Sequence, residues 1–347
     1  MQVTPKAFAE NPRRRQETTQ PTPKFKSILC NMKIVVTGAA GFIGSHTVER
    51  ILKAGHEVLG IDSLRTGKLA NTTLFRSNSS FALQILDIVA ERRKFEAYVS
   101  AFKPDAILHL AALVSVPESI KDPELNYNLN IQTTHIIAES ARRLNIPRVV
   151  FASSAAVYGD AFPPDVTKST MLSPKSPYGV AKLCSELILN EYSRSYKITT
   201  RNQRYFNVYG ERQDPSSGYS GVLSVFMQRA QKRESITVYG DGLQTRDFIA
   251  VRDVAEANLR ALTERGLDSG SADICSGKYY SLNNIIEIIR GVTGLNIHVD
   301  YLKPRDGDIR VSCGNPCDAK KDFGFQPSVE LEEGLRDYWR YLNRKKD

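Results

Sequence analysis

Val35-Val36-Thr37-Gly38-Ala39-Ala40-Gly41-Phe42-Ile43-Gly44 joins a short β-branched run to three glycines and then to an amphipathic helical pattern carrying Ile51 and Leu52. Gly38 permits a tight turn after the strand, Gly41 lets backbone N–H groups approach a phosphate, and Gly44 lets the helix pack closely on the sheet. The helix N-terminus adds partial positive charge, so the turn with its Phe42 and Ile43 is read as the seat of a dinucleotide pyrophosphate. Three glycines at this spacing also occur in plain strand-turn-helix joints, so context must decide. Here Glu57-Val58-Leu59-Gly60-Ile61 reads as the next strand and ends on Asp62, placed to accept from a ribose 2′-hydroxyl. No basic residue directly follows Asp62, which favours NAD over NADP; Arg65 is the nearest cation that would serve a 2′-phosphate.

Outward from this turn, strand-like runs at 33–37, 57–61, 81–86, 105–109 and 148–153 alternate with helical patterns at 42–54, 91–102, 124–144 and 176–195. The alternation predicts an α/β fold, a Rossmann-like doubly wound parallel sheet. Asp87 and the segment from His109 to Ala112 then fall at strand carboxyl ends, where such sheets collect ligands. Thr199-Thr200-Arg201-Asn202-Gln203-Arg204 takes the place of a sixth strand but is far more polar than a buried parallel strand usually is. After residue 207 short strands, glycine turns and helices suggest a smaller C-terminal α/β substrate-binding cap. The expected organisation is an N-terminal extension at 1–31, a dinucleotide-binding domain at 32–207, and a mainly substrate-binding domain at 208–347 whose segments near 245–280 return to the first sheet.

At 347 residues the chain can bury a full core. No run approaches the roughly 18 apolar residues that span a bilayer, so no membrane insertion is expected. Five cysteines (Cys30, Cys184, Cys275, Cys313, Cys317) make no disulfide framework and fit reduced thiols in cytoplasm. Cys313 and Cys317 lack a second pair of ligands nearby, so no metal is expected. The net charge of +9 admits nucleic acid as a partner, but much of the excess is terminal: Arg13, Arg14, Arg15, Lys24 and Lys26 at one end, Arg344, Lys345 and Lys346 at the other. Residues 1–31 read as a disordered tail, with an organelle address or a mis-assigned start at Met32 as alternatives. No nucleic-acid partner is expected.

Ser176-Pro177-Tyr178-Gly179-Val180-Ala181-Lys182 reads as a helix start, with Tyr178 and Lys182 on one face at i,i+4. A free phenol titrates near about 10; an adjacent ammonium and an oxidised nicotinamide would favour its phenolate and make it a usable base. Fifteen tyrosines in a lysine-rich chain yield about one such pair by chance, and Tyr341 with Lys345 is the natural candidate for it. Tyr178 differs by following the fifth strand, which runs into Phe151-Ala152-Ser153-Ser154. Ser154 is there either a turn serine bonding its own backbone or a hydroxyl sharing a substrate proton with Tyr178.

At these residues the chain resembles the extended short-chain dehydrogenase/reductase family, and within it the NAD-dependent UDP-hexose 4-epimerases, from about residue 33 to the end. His109-Leu110-Ala111-Ala112 followed by Ser115-Val116-Pro117-Glu118-Ser119 resembles a loop facing cofactor and sugar. Arg204-Tyr205-Phe206-Asn207-Val208-Tyr209-Gly210 resembles a substrate signature, Tyr239-Gly240-Asp241-Gly242 with Arg246-Asp247-Phe248 a uridine and phosphate segment, and Arg305-Asp306-Gly307-Asp308 a second phosphate arginine with its ribose acid. The resemblance implies Ser154, Tyr178 and Lys182 as catalytic residues. It implies cofactor contacts at Gly38, Gly41, Phe42, Ile43, Gly44, Asp62, Asp87, Ile88, Ala111, Ala112, Tyr178 and Lys182. UDP-sugar contacts would come from Ser115, Ser154, Tyr178, Asn207, Val222, Thr237, Tyr239, Arg246, Arg305, Asp308 and Ser312. Two arginines suit the diphosphate because each presents a bidentate fork that lysine lacks.

Departures from the family pattern narrow the expectation. Ala155 and Ala156 stand where its dehydratases carry an Asp-Glu pair, so elimination at C5–C6 lacks its acid and base. Ala156 also lacks a hydroxyl that some epimerases have there, and Glu211 and Ser224 replace residues that are commonly proline. Ser312 falls at a gate where a bulky tyrosine excludes N-acetyl groups in some relatives, and a serine leaves room. The expected activity is C4 inversion of a UDP-hexose through a transient 4-keto sugar, on UDP-glucose/UDP-galactose and the N-acetylated pair, in a homodimer paired through helices 124–144 and 176–195. Alternatives are another nucleotide-sugar epimerase or reductase, such as a UDP-glucuronate 4-epimerase, and, more distantly, a non-catalytic binder of RNA or a protein partner.

Overall fold

Parallel pairing turns the alternating pattern into one large sheet. In chain order the strands are β1 (Lys33–Thr37), β2 (Glu57–Asp62), β3 (Phe81–Ile85), β4 (Ala106–His109), β5 (Arg148–Ser154), β6 (Thr199–Tyr205), β7 (Asn207–Tyr209), β8 (Ile236–Tyr239), β9 (Thr245–Ala250), β10 (Gly270–Ile274), β11 (Tyr279–Ser281), β12 (Val299–Leu302) and β13 (Val311–Ser312). The computed structural model describes residues 31–159, 171–215, 221–304 and 310–344, and Asn31–Asp347 forms one compact unit. Seven strands lie in the order β10-β6-β5-β4-β1-β2-β3, all parallel. The order reverses between β1 and β4, which opens a crevice at their carboxyl ends.

Both faces of this sheet are covered. On one, Val48 and Ile51 of the helix Phe42–Lys53 and Val254 and Ala257 of the helix Val251–Thr263 pack on Ile34, Val36 and Leu108. On the other, Phe95 and Val99 of Arg92–Phe102, Ile136 and Ile137 of Thr133–Arg143, and Leu189 of Pro177–Tyr196 pack on Val35, Ile107 and Val149. Burial of such side chains stabilises by roughly 1.5–3 kcal/mol each. A separate core of Leu223, Phe226, Ile285, Ile289, Leu335 and Tyr338 joins the helices Val222–Lys232, Leu282–Thr293 and Leu331–Leu342 to β8 and β9.

The polar sixth strand finds its explanation in period-two alternation. Arg201 and Gln203 point to one face, where Arg201 pairs with Asp322 and Gln203 donates to the Ala257 carbonyl at 3.2 Å. Asn202 and Arg204 point to the other, where Asn202 donates to Asn190 Oδ1 at 3.0 Å and Arg204 grips Glu186 at 2.9 and 2.7 Å. A buried polar side chain costs little once it is hydrogen-bonded; here the helices covering β6 supply the partners.

The helical pattern at 124–144 is not one regular helix. It runs as Pro123–Tyr127, a π-turn at Asn128–Gln132, and Thr133–Arg143. Such turns displace a helix face locally and recur at functional sites.

Candidate active site

The carboxyl ends of β1, β2, β4 and β5 open into one cleft of about 860 Å³. Its floor is the glycine turn. Gly38 sits at φ +71, and a Cβ there would lie 2.9 Å from Ala111 N, while a Cβ on Gly44 would come to 1.9 Å from the Gly38 carbonyl oxygen. The close approach of turn, helix and β4 loop is therefore possible only with glycines. Gly41 is the N-cap of Phe42–Lys53 and offers no capping side chain, so the first N–H groups of that helix keep their donors for an incoming anion.

Asp62 closes the adjacent wall. Its Oδ2 accepts from Ala40 N at 2.9 Å and its Oδ1 from Leu64 N at 2.8 Å, and burial pushes its carboxyl above the usual range against those two bonds. Gly67 lies over it; a Cβ there would be 2.6 Å from Oδ1. Arg65 lines the cleft with its guanidinium held by Glu118 at 2.5 Å, directed toward the helix Val116–Lys121. Asp87 and Ile88 line the cleft, and Asp87 Oδ1 accepts from Val89 N and Ala90 N at 2.8 and 2.9 Å. Ala111 and Ala112 complete the β4 side.

The other end of the cleft holds Ser154, Tyr178 and Lys182. Ser176 caps the helix Pro177–Tyr196 by accepting from Gly179 N at 3.1 Å, with Pro177 in its first turn. One turn later Tyr178 and Lys182 share a face, with the Lys182 Nζ 5.8 Å from the Tyr178 ring centroid. Ser154 Oγ accepts from Ala156 N at 3.2 Å, the turn role its sequence position allowed, and its hydroxyl favours ionisation of the Tyr178 phenol. Burial raises the Tyr178 phenol, and the neighbouring Ser154 hydroxyl opposes it. Lys182 Nζ donates to the Ala152 carbonyl at 2.8 Å. Burial holds Lys182 itself down to about 7, against the raising effect of Glu186.

Not every expected residue meets at this cleft. Asn207 lines it while donating to the Asp247 carbonyl at 2.7 Å. Ser115 is buried as the N-cap of Val116–Lys121, accepting from Glu118 N at 2.9 Å, and its neighbour Val114 is the residue that lines the wall. Val222 begins its helix between the lining residues Gly221 and Leu223. Thr237 and Tyr239 lie on β8, with Thr237 Oγ1 accepting from Arg229 at 2.8 Å. Arg246 and Ser312 are register partners on β9 and β13. Arg305 and Asp308, like Lys345, lie outside the described residues.

Sequence reasoning missed the far wall. Leu129 and Thr133 reach the cleft through the π-turn, and Lys68, Asn71, Arg212, Gln213 and Asp214 line it from two loops. Lys68 pairs with Asp214 across those loops. Arg212 adopts φ +65 and is nearly buried, with Nη2 on Glu49 at 2.6 Å and a buried Nη1 that has no hydrogen-bond partner among the described residues. The sole sequence signal was the placement of Arg212 just after the 204–210 run.

A glycine cradle, an acidic strand end and a Tyr-Lys-Ser group in one cleft define a class of enzyme: NAD-dependent, built on the extended short-chain dehydrogenase fold. The chain belongs to the NAD dependent epimerase/dehydratase family, which its residues 34–274 match. It is 34% identical over 315 residues to the UDP-glucose 4-epimerase of Mycolicibacterium smegmatis, covering 90% of this chain and 99% of that one. The UDP-N-acetylglucosamine 4-epimerase of Methanobrevibacter ruminantium, solved with UDP-N-acetylmuramic acid, superposes with a TM-score of 0.85 at 34% identity over 90% of this chain and 98% of that one. The UDP-glucuronic acid 4-epimerase of Bacillus cereus, solved with its sugar nucleotide and NAD, gives 0.82 at 29% identity over 90% and 99%. Among the described residues no helix is long and apolar enough to cross a membrane.

Proposed function

We propose that this protein inverts C4 of a UDP-hexose through a transient 4-keto sugar. The observation that carries the reading is that Ser154, Tyr178 and Lys182 line the same cleft as the glycine cradle and Asp62. The cradle and Asp62 would hold NAD, which when bound supplies reversible hydride acceptance from the sugar. Tyr178 takes the proton of the 4-hydroxyl and returns it, Ser154 shares that proton, and Lys182 supplies positive charge from one turn away. Arg246 and Asn207, with Arg305, anchor the UDP diphosphate; Thr237, Tyr239, Val222 and Asp308 hold the uridine end. Ala155 and Ala156 offer no acid or base at the neighbouring carbons.

The small side chain of Ser312, in register with Arg246, supports acceptance of N-acetylated as well as plain sugars. A uronate epimerase is the second reading, favoured by the likeness to the Bacillus cereus enzyme. Incubation with UDP-glucose, UDP-N-acetylglucosamine and UDP-glucuronate, with epimers resolved by NMR, tests both. Turnover of UDP-glucose and UDP-N-acetylglucosamine is expected; turnover of the uronate alone would replace the first reading by the second, and no turnover of any would sink both.

A homodimer is part of the same proposal. Ile120 and Leu187 are 64% and 58% exposed, and with Tyr127 and Val180 they are exposed apolar side chains on the helices Val116–Lys121, Pro123–Tyr127 and Pro177–Tyr196. Light scattering after size exclusion, with Leu187→Asp as the disrupting variant, tests it. The four described thiols are free, which supports a reducing, cytoplasmic setting.

A further inference from the structure

Three consecutive residues at the end of β5 each engage the helix Pro177–Tyr196. Ala152 accepts from Lys182 Nζ at 2.8 Å, Ser153 Oγ donates to Glu186 Oε1 at 2.5 Å, and the Ser154 hydroxyl favours ionisation of the Tyr178 phenol. Two of these contacts belong to the site described above; the middle one has no role there. Glu186 is 2% exposed, four residues beyond Lys182 on the same face. It also takes both ends of the Arg204 fork at 2.9 and 2.7 Å. Arg204 in turn donates to Tyr158 Oη at 2.9 Å, and Tyr158 donates to Asp273 at 2.7 Å. The chain of bonded groups runs from Glu186 on the catalytic helix through Arg204 on β6 and Tyr158 to Asp273 on β10.

We propose that Glu186 is a positioning residue for the Tyr178–Lys182 pair: its buried carboxylate, oriented by Ser153 and Arg204 and one helical turn from Lys182, fixes the helix against the end of β5. This rests on the reading of Tyr178 and Lys182 given above. Low dielectric penalises the charged form of a lysine this buried, and a carboxylate one turn away offsets part of that penalty. Burial holds it near 7 with Glu186 as the opposing influence. The charged and titratable groups around Lys182 are Tyr178 and Glu186 on its own helix and His109 on β4, the last kept neutral by burial. Arg204 faces Glu186 from β6 and is the only cation bonded to it among the described residues. A plain structural ion pair would explain the Arg204 fork but would leave the titration of Lys182 unmoved on its removal.

The test uses the full-length protein labelled with [ε-13C]lysine, the Lys182 resonance being assigned by its loss in Lys182→Met. In Glu186→Gln the Lys182 midpoint is expected to fall by about one pH unit. At pH 7 kcat for the UDP-sugar is expected to fall about tenfold, with KM within about twofold. Should Glu186→Gln not fold because Arg204 is left unpaired, Glu186→Gln with Arg204→Met removes both charges and is expected to move the midpoint the same way by a smaller amount. An unchanged Lys182 midpoint in either folded variant overturns the inference. Wild-type protein that turns over no UDP-sugar would overturn the functional reading instead, and the resonance still decides the role of Glu186.

Discussion

His109 Nδ1 lies 2.8 Å from Thr37 Oγ1, bonding the end of β4 to the end of β1 beneath the glycine turn. Thr37 Oγ1 also accepts from Leu110 N and Ala111 N, each at 3.1 Å. The pair therefore sets the spacing of the crevice into which the cofactor is proposed to fit. His109 is buried, and burial, helped by Lys182, holds it down to about 3.

A histidine whose folded-state value lies below its unfolded value of about 6.5 stabilises fully above that value, and the contribution is lost as pH falls from there toward the folded value. Between pH 7 and 4.5 it should cost about 2–3 kcal/mol. Asp247 and Asp273, pushed up to about 6 by burial, act in the opposite sense: they favour the fold at low pH and lose that contribution as pH rises through 6. The wild type minus His109→Gln difference isolates the histidine. Urea unfolding at pH 7 and 4.5 should show a smaller acid loss in the variant; an equal loss in both would discount His109.

Tyr178→Phe keeps the ring and removes the proton carrier. Turnover should fall by about 10²- to 10⁴-fold, with bound NAD, read from the absorbance of the denatured protein, unchanged. Ser154→Ala should fall less, since Tyr178 remains. A Tyr178→Phe protein with wild-type turnover would contradict the assignment.

Gly44→Ala brings a methyl to within 1.9 Å of the Gly38 carbonyl oxygen, a backbone atom with no side-chain freedom to yield. Overpacking of this kind costs about 1–3 kcal/mol. The expected result is a lower melting temperature and weakened NAD binding by titration calorimetry, whereas Gly291→Ala, with open space around its Cβ, should change neither by much.

Arg201 is 2% exposed and its partner Asp322 17%. Arg201→Met should destabilise by about 3 kcal/mol, because it leaves a half-buried carboxylate facing an apolar wall. Arg201→Met with Asp322→Leu should recover most of that in the same denaturant titration. A single variant as stable as wild type would show that the pair is solvated in solution.

Much of the architecture was readable from local pattern. Apolar runs at β1, β2, β4 and β5 report their own burial, and glycine at 38, 41 and 44 reports a backbone constraint that no other residue satisfies. Tyr178 and Lys182 are neighbours by helix geometry alone, with Ser176-Pro177 marking where that helix starts. Other features depend on what the chain folds against. The burial of Arg201, Asn202 and Gln203 had no local signal, because their partners come from residues 190, 257, 271 and 322. Ser115 caps a helix, a role that depended on where Glu118 N came to rest. Lys182 faces the Ala152 carbonyl rather than the phenol for the same reason: helical spacing puts two residues on one face, but the groups packed opposite select the hydrogen bond. Burial, charge pairing and the shape of the cleft arise from residues far apart in the chain, so only the folded molecule decides them.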